Sequence, residues 1–178
     1  MTEMVDIFNE DWSPTGEVMD KIEARRLHKW HKVAAIWIMN PRGELLFARR
    51  ASGKKYFPNH WAAPACGNVR AGESVIDGAI REAQEELRIN IDPALLSEVA
   101  RLNFAIDAFW HLHTVLIARI DMPVEAFKFD TLEVAEVKYF PWRELAAMSP
   151  AEREAAHFFP SDDLPALFEY LEKSEKGA

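Results

Sequence analysis

The chain has 178 residues, 49% of them hydrophobic and 28% charged, with a formal net charge of −8. That balance fits one globular domain with a sizeable core, and the acidity excludes the broad basic face of a general nucleic-acid binder. No apolar run is long enough to span a bilayer as a helix, and a single cysteine excludes an intramolecular disulfide and fits a reducing, cytoplasmic setting.

The start is acidic, without a charged-then-apolar signal pattern. Met4–Phe8 reads as a short strand, residues 9–16 are turn-rich, and residues 17–21 return as a second strand. Residues 22–30 read as a short helix carrying Arg25, Arg26, His28 and Lys29. His31 follows as a polar residue at the entry of the next strand. Residues 33–39 form a buried strand, Asn40-Pro41-Arg42-Gly43 a turn, and residues 45–49 the returning strand of a hairpin. The segment ARRASGKKYFPNHW, residues 48–61, gathers Arg49, Arg50, Lys54 and Lys55 in an otherwise acidic chain. Strand alternation puts Arg49 and Arg50 on opposite faces, so at most one points inward. Guanidinium meets phosphate with paired hydrogen bonds and lysine meets it as a point charge. The segment is therefore either an anion site or a solvated loop. Residues 61–66 read as a strand broken by Pro64, at an edge or a bulge.

Residues 67–89, GNVRAGESVIDGAIREAQEELRI, hold a helix that begins near Ser74, with Ser74 as N-cap and Asp77 in the place of a capping-box acid. A turn of about 100° per residue puts Ile76, Ile80, Ala83 and Leu87 on one face, expected to be buried. Glu82, Glu85 and Glu86 fall within an arc of roughly 100° on another. Carboxylates this close repel one another. They are tolerated on a solvated face, or used around a hard cation such as Mg2+, which takes a few carboxylate oxygens and a substrate phosphate. Gly67 and Gly72 bracket a turn whose backbone can approach the same cation. After a break at residues 91–93, residues 94–96 make a short helical turn. Residues 99–106 and 110–120 are long strands, with Asp107 and Ala108 near their turn. His111 and His113 share a face, as a transition-metal pair or as the polar lining of a pocket. Residues 134–140 are the last strand. Glu133, just before it, is an extra active-site carboxylate or a loop charge. Residues 144–148 and 162–173 are helices. The second is capped by Ser161 or Asp162, has Pro165 in its first turn and points Leu164, Leu167, Phe168 and Leu171 inward. The tail EKSEKGA is expected to fray.

The spacing of Gly67, Glu73 and Arg81-Glu82-Ala83-Gln84-Glu85-Glu86 is similar to the Nudix box, a long and specific signature. One position departs: Arg88 stands where the family has the Gly that ends the helix left-handed, and Asn90 is the expected substitute. The order of elements over most of residues 30–175 also resembles that family. The resemblance implies a Nudix α/β/α sandwich around a central mixed sheet, as a single domain over residues 1–178. That domain divides into an N-terminal hairpin and short helix (1–30), a core (31–145) and a C-terminal helical segment (146–178). It implies hydrolysis of a nucleoside-diphosphate-type or other organic diphosphate, with Mg2+ (or Mn2+) held by Glu82, Glu85, Glu86 and the Gly67 carbonyl. Glu73 and Arg81 would pair structurally, and Glu85, Glu86 or Glu133 would act in catalysis as ligand or base. The partner expected is a small diphosphate, not nucleic acid or membrane, bound by a monomer or homodimer.

The run RRASGKKYFPNHW, then CGN, then GES, resembles the isopentenyl diphosphate isomerase branch of the same fold. That likeness implies diphosphate contacts at Arg50 and Lys54 and a catalytic thiol at Cys66; the other reading of Cys66 is a small buried thiol at a strand end. The chain departs from the branch at Asn68, where the branch has a metal-binding His, and at His111 and His113, roughly where it has two glutamates. It also keeps the full acidic box. The reading is therefore an isomerase-like hydrolase. The alternatives are an isopentenyl diphosphate isomerase and a catalytically silent binding module.

Overall fold

The computed structural model describes residues 3–106 and 109–176. Asp107 and Ala108, at the expected turn, and the last two residues of the tail lie outside that range. The spine is strand β3 (Trp30–Met39), whose residues 33–39 are continuously buried. It follows a hairpin of β1 (Met4–Phe8) and β2 (Pro14–Asp20) and a short helix α1 (Lys21–Arg26) capped by Asp20. The helix is shorter than the sequence suggests, because Trp30 already belongs to β3. After β3 the chain turns at Asn40, whose side-chain oxygen accepts from the N–H groups of Arg42 and Glu44. It returns as β4 (Glu44–Arg50). The broken strand resolves into β5 (Trp61–Ala62) and β6 (Ala65–Asn68), with Pro64 in the gap.

Among the described residues nine strands make one mixed sheet. One edge of β3 runs parallel to β8 (Phe109–Arg119) over its length, and β8 pairs antiparallel with β7 (Leu96–Ile106). The other edge of β3 is shared by β1, β6 and β4. Strand β9 (Val134–Pro141) pairs with β4.

Alternation along β3 sorts two cores. Ala34, Ile36 and Ile38 face helix α2 (Val75–Leu87). Trp37 and Met39 face α3 (Trp142–Ala147) and α5 (Asp163–Lys176). A further helix, α4 (Pro150–Ala155), carries a complete capping box at Ser149 and Glu152. Leu164, Leu167, Phe168 and Leu171 are buried as expected. The last helix runs on to Lys176, so the tail up to that residue is helical rather than frayed.

Helix α2 begins at Ser74, whose hydroxyl accepts from the Asp77 N–H at 3.1 Å. Its packing corrects the expected face. Gly78, Ala79, Ala83 and Leu87 are buried, whereas Ile76 and Ile80 are only half-buried. Small residues let the helix come close to the sheet: a Cβ added at Gly78 would meet Val69 Cα at 3.4 Å. The helix end also differs from expectation. Arg88 itself takes the left-handed conformation, at φ 56° and ψ 34°, in place of Asn90.

Candidate active site

Strand β6 pairs with β3 along one edge, Ala34 opposite Gly67 and Ala35 opposite Cys66. Its alternation aims Gly67 at α2, and Cys66 and Asn68 at the opposite face of the sheet. The glycine is a steric necessity there. A Cβ on Gly67 would overlap the Glu82 carboxylate. The next turn of α2 brings Glu86 to the backbone of β6, where it accepts from the Cys66 N–H at 3.0 Å.

A brace holds helix and loop in this position. Arg81 donates through Nε to Glu73 Oε1 and through a terminal nitrogen to Glu73 Oε2, both at 3.0 Å. The same terminal nitrogen reaches the Asn68 carbonyl at 2.8 Å. The Arg81 and Glu73 side chains are 16% and 18% exposed. Burial works against the charge on each, but their mutual bonds outweigh it: Arg81 is held above its ordinary pKa and Glu73 below its own. Arg70, a residue without any sequence signal of its own, adds a backbone N–H to Glu73 and a side-chain bond of 3.1 Å to Glu85.

The three box carboxylates thus lie on the β6 side of α2, each engaged by a donor of the protein. Glu82 has Arg81 at 2.5 Å, Glu85 has Arg70 and Arg81, and Glu86 has the Cys66 amide. Among the described residues no three His, Cys, Asp or Glu side chains are already gathered as a metal site. The donor set nonetheless fits a hard divalent cation. Burial pushes the Glu82 carboxyl up, against the pull of Arg81, and Glu85 adds repulsion. Burial pushes Glu86 up to about 7, helped by repulsion from Glu82 and Glu133 and opposed by the Cys66 N–H. Oxygen donors forced toward neutrality by burial, and by each other's charge besides, are groups that a cation would relieve.

At most one of the two arginines is expected to point inward, and the two take different partners. Arg50 Nε donates to the Tyr56 carbonyl at 3.1 Å, and its charge is felt at Cys66. Arg49 is spent on the other face, on Glu136 at 2.5 Å. Lys54 pairs with Glu133, so these two candidates are brought together, and both are felt at Glu86. Cys66 is exposed, which corrects the reading of a small buried thiol. Crowding by the surrounding protein, then the Asp163, Glu86 and Glu82 carboxylates, hold its pKa well above the usual thiol range.

The candidate metal pair of His111 and His113 does not form. The two share a face, but different neighbours claim them. His113 bonds the Asp163 carboxylate at 3.3 Å, and Trp37 donates to the same oxygen at 3.2 Å. His111 meets the ring of fully buried His31 edge-on, 4.9 Å between centroids. His31 does stand at the strand entry as expected. Its Nδ1 lies 2.9 Å from the Lys29 carbonyl, which can only accept, so Nδ1 carries the proton. Burial lowers the pKa of both rings, that of His111 to about 2 with repulsion from His31 and His113. Nε2 of His31, Nε2 of His111 and Oδ1 of Asn68 have no hydrogen-bond partner among the described residues. Among the aromatics, Trp37 is core, while Tyr56 and Phe57 are exposed. Tyr56 packs edge-on against Phe109. A shallow groove between α3 and α5, lined by Trp142, Arg143 and Glu175, lies away from all of these groups.

An uncharacterized Nudix hydrolase of Listeria monocytogenes is 29% identical over 167 residues, 92% of each chain. The isopentenyl-diphosphate Delta-isomerase of Cutibacterium acnes is 28% identical over 160 residues, 77% of this chain and 76% of that one. A crystal structure of a Deinococcus radiodurans protein shares the fold with a TM-score of 0.73 and 23% identity, covering 94% of this chain and 98% of that one. A family model described as NUDIX domain matches residues 29–162, a span that takes in β6, the Glu73–Arg81 brace and the acidic helix, and by that match the chain belongs to the NUDIX domain family.

Proposed function

We propose that this chain is a divalent-cation-dependent hydrolase of the diphosphate linkage in a nucleoside-diphosphate-type or other organic diphosphate. The observation that carries the reading is the pair of box carboxylates, Glu82 and Glu86, pressed by a braced helix against the backbone of Gly67 and Cys66. Glu82, Glu85, Glu86 and the Gly67 carbonyl would hold Mg2+ or Mn2+, which supplies charge neutralisation at the bridging phosphate and a more acidic water. Arg50 and Lys54 orient the phosphates by charge-assisted hydrogen bonds. A carboxylate takes the water's proton. The candidates are a box carboxylate, Glu85 or Glu86, and Glu133. Arg81 and Glu73 keep loop and helix in register.

A panel of organic diphosphates with Mg2+ or Mn2+ tests the reading and names the substrate. Glu85→Gln and Glu86→Gln should each lose on the order of 10³-fold in turnover, as removal of a transition-state ligand does. Wild-type turnover in both variants would exclude these residues from the mechanism.

A second reading, interconversion of allylic diphosphates, draws on the exposed Cys66 thiol and on the isomerase relative. It needs a second proton-transfer group facing the substrate, and His113, roughly where that branch has a glutamate, is tied to Asp163. Hydrolysis at phosphorus needs no thiol, so Cys66→Ala should keep most of the rate. Loss of turnover in Cys66→Ala, with isomerisation by the wild type, would favour the isomerase.

A further inference from the structure

The segment after β4 and the turn before β9 are tied by backbone. Ala51 N–H donates to the Glu133 carbonyl at 3.0 Å, and Arg50 stands in register with Val134. The two segments are therefore joined by backbone as well as by the ion pair of Lys54 and Glu133. The two side chains remain 27% and 48% exposed. Lys54 is a part-exposed cation, and what pairs with it is a carboxylate of the same chain. Both groups lie close enough to Glu86 for their charges to act on it. Glu133 is thus seated where an incoming phosphate oxygen would meet the ammonium.

Resting on the diphosphate reading above, we infer that Glu133 is an internal stand-in for substrate phosphate: it holds Lys54 until a diphosphate arrives, and the exchange passes Lys54 to the phosphate and frees the Glu133 carboxylate beside Glu86. Charge and exposure favour such an exchange. A part-exposed lysine–carboxylate pair is only weakly held. A phosphate offers the same ammonium more charge and more acceptor oxygens. Contrast the Arg81–Glu73 pair, with two parallel bonds of 3.0 Å between side chains less than one-fifth exposed; that contact is a fixture. Lys54 offers a point charge with no fork geometry to satisfy, so it can change partners without moving its backbone. The pair then does two things: it lowers the affinity for anions that cannot displace Glu133, and it presents Glu133 as a free carboxylate only when phosphate is bound.

Calorimetric titration of the full chain with inorganic diphosphate tests this, with and without Mg2+, because binding is read without turnover. Glu133→Gln should bind inorganic diphosphate about two- to five-fold more tightly than wild type, the range expected from removing a competing exposed pair. Lys54→Met should bind it at least as many fold more weakly. The double variant should match Lys54→Met alone, since no cation is left to release. Unchanged or weaker binding by Glu133→Gln would overturn the proposal. So would an equal tightening in the Lys54→Met background, which would mean simple repulsion by Glu133, and so would a wild type that does not bind inorganic diphosphate. A wild type that binds and exchanges as described, yet cleaves nothing in the substrate panel, would remove the hydrolase reading and leave the exchange standing.

Discussion

At Gly67 the absence of one carbon decides where a carboxylate sits. The Glu82 side chain fills the space a Cβ would take, and it is the far end of a flexible chain, so a methyl there displaces the carboxylate rather than the backbone. The strand pairing of β6 with β3 does not depend on it. Gly67→Ala should therefore unfold within about 1 kcal/mol of wild type, as substitutions without a cavity or a buried orphan do. It should also lose on the order of 10²-fold or more in activity, because a misplaced ligand group forfeits its orientation. Chemical denaturation and steady-state kinetics on the same preparation check both halves; a variant with full activity would place Glu82 outside the site. The need for glycine was legible in the sequence only through family likeness, since nothing in the composition of ACGNV, residues 65–69, says which residue faces a glutamate. Arg70 and Asp163 escaped sequence reading for the same reason: each acts through a partner many residues away, Glu85 for Arg70 and His113 for Asp163.

Helix α2 shows how far periodicity carries at the scale of an element. Its start at Ser74 and its acidic stripe followed from capping chemistry and a 3.6-residue period. The buried face followed only in part: Ala83 and Leu87 are buried as expected, but hydrophobicity also favoured Ile76 and Ile80, whereas packing chose the small residues Gly78 and Ala79 that let the helix approach β6. The short helix α4 was legible in principle from Ser149-Pro150-Ala151-Glu152, a Pro at the first position inside a capping box. The helix end carries a prediction. Arg88 is exposed and left-handed, a conformation that costs an L-residue roughly 1 kcal/mol and a glycine almost nothing. No bond of the Arg88 side chain is found among the described contacts that hold α2. Arg88→Gly should raise the unfolding free energy by about 0.5–1 kcal/mol at unchanged activity, seen as a shifted denaturant midpoint with the same slope. A lower midpoint would mean that the arginine side chain supports the helix.

Across the whole molecule, what joins the last helix to the sheet at the cleft is a buried polar contact. Asp163, in the first turn of α5, takes Trp37 from β3 and His113 from β8 on one oxygen, so three elements meet at one carboxylate. No local pattern links residues so far apart in sequence; the sequence gives each of them only as a core aromatic, a strand histidine and a helix start. His113 resists burial, which lowers its pKa, but the charge of Asp163 and the bond to it outweigh that and leave the pKa raised. The sign follows by linkage. A histidine whose folded pKa lies above its unfolded value of about 6.5 stabilises fully below that pH and loses the contribution as pH rises through the folded pKa. Removing one partner of a buried pair costs about 3 kcal/mol or more, whereas a neutral hydrogen bond contributes about 1 kcal/mol. His113→Gln should therefore be less stable than wild type by about 3 kcal/mol near pH 5.5, and the gap should narrow toward about 1 kcal/mol in alkaline buffer. Taking the difference between the two proteins cancels the pH response of Glu82 and Glu86, which both share. A gap that stays constant from pH 5.5 to 9 would show that folding leaves the His113 pKa where it is in the unfolded chain, so that the Asp163 charge does not favour the imidazolium.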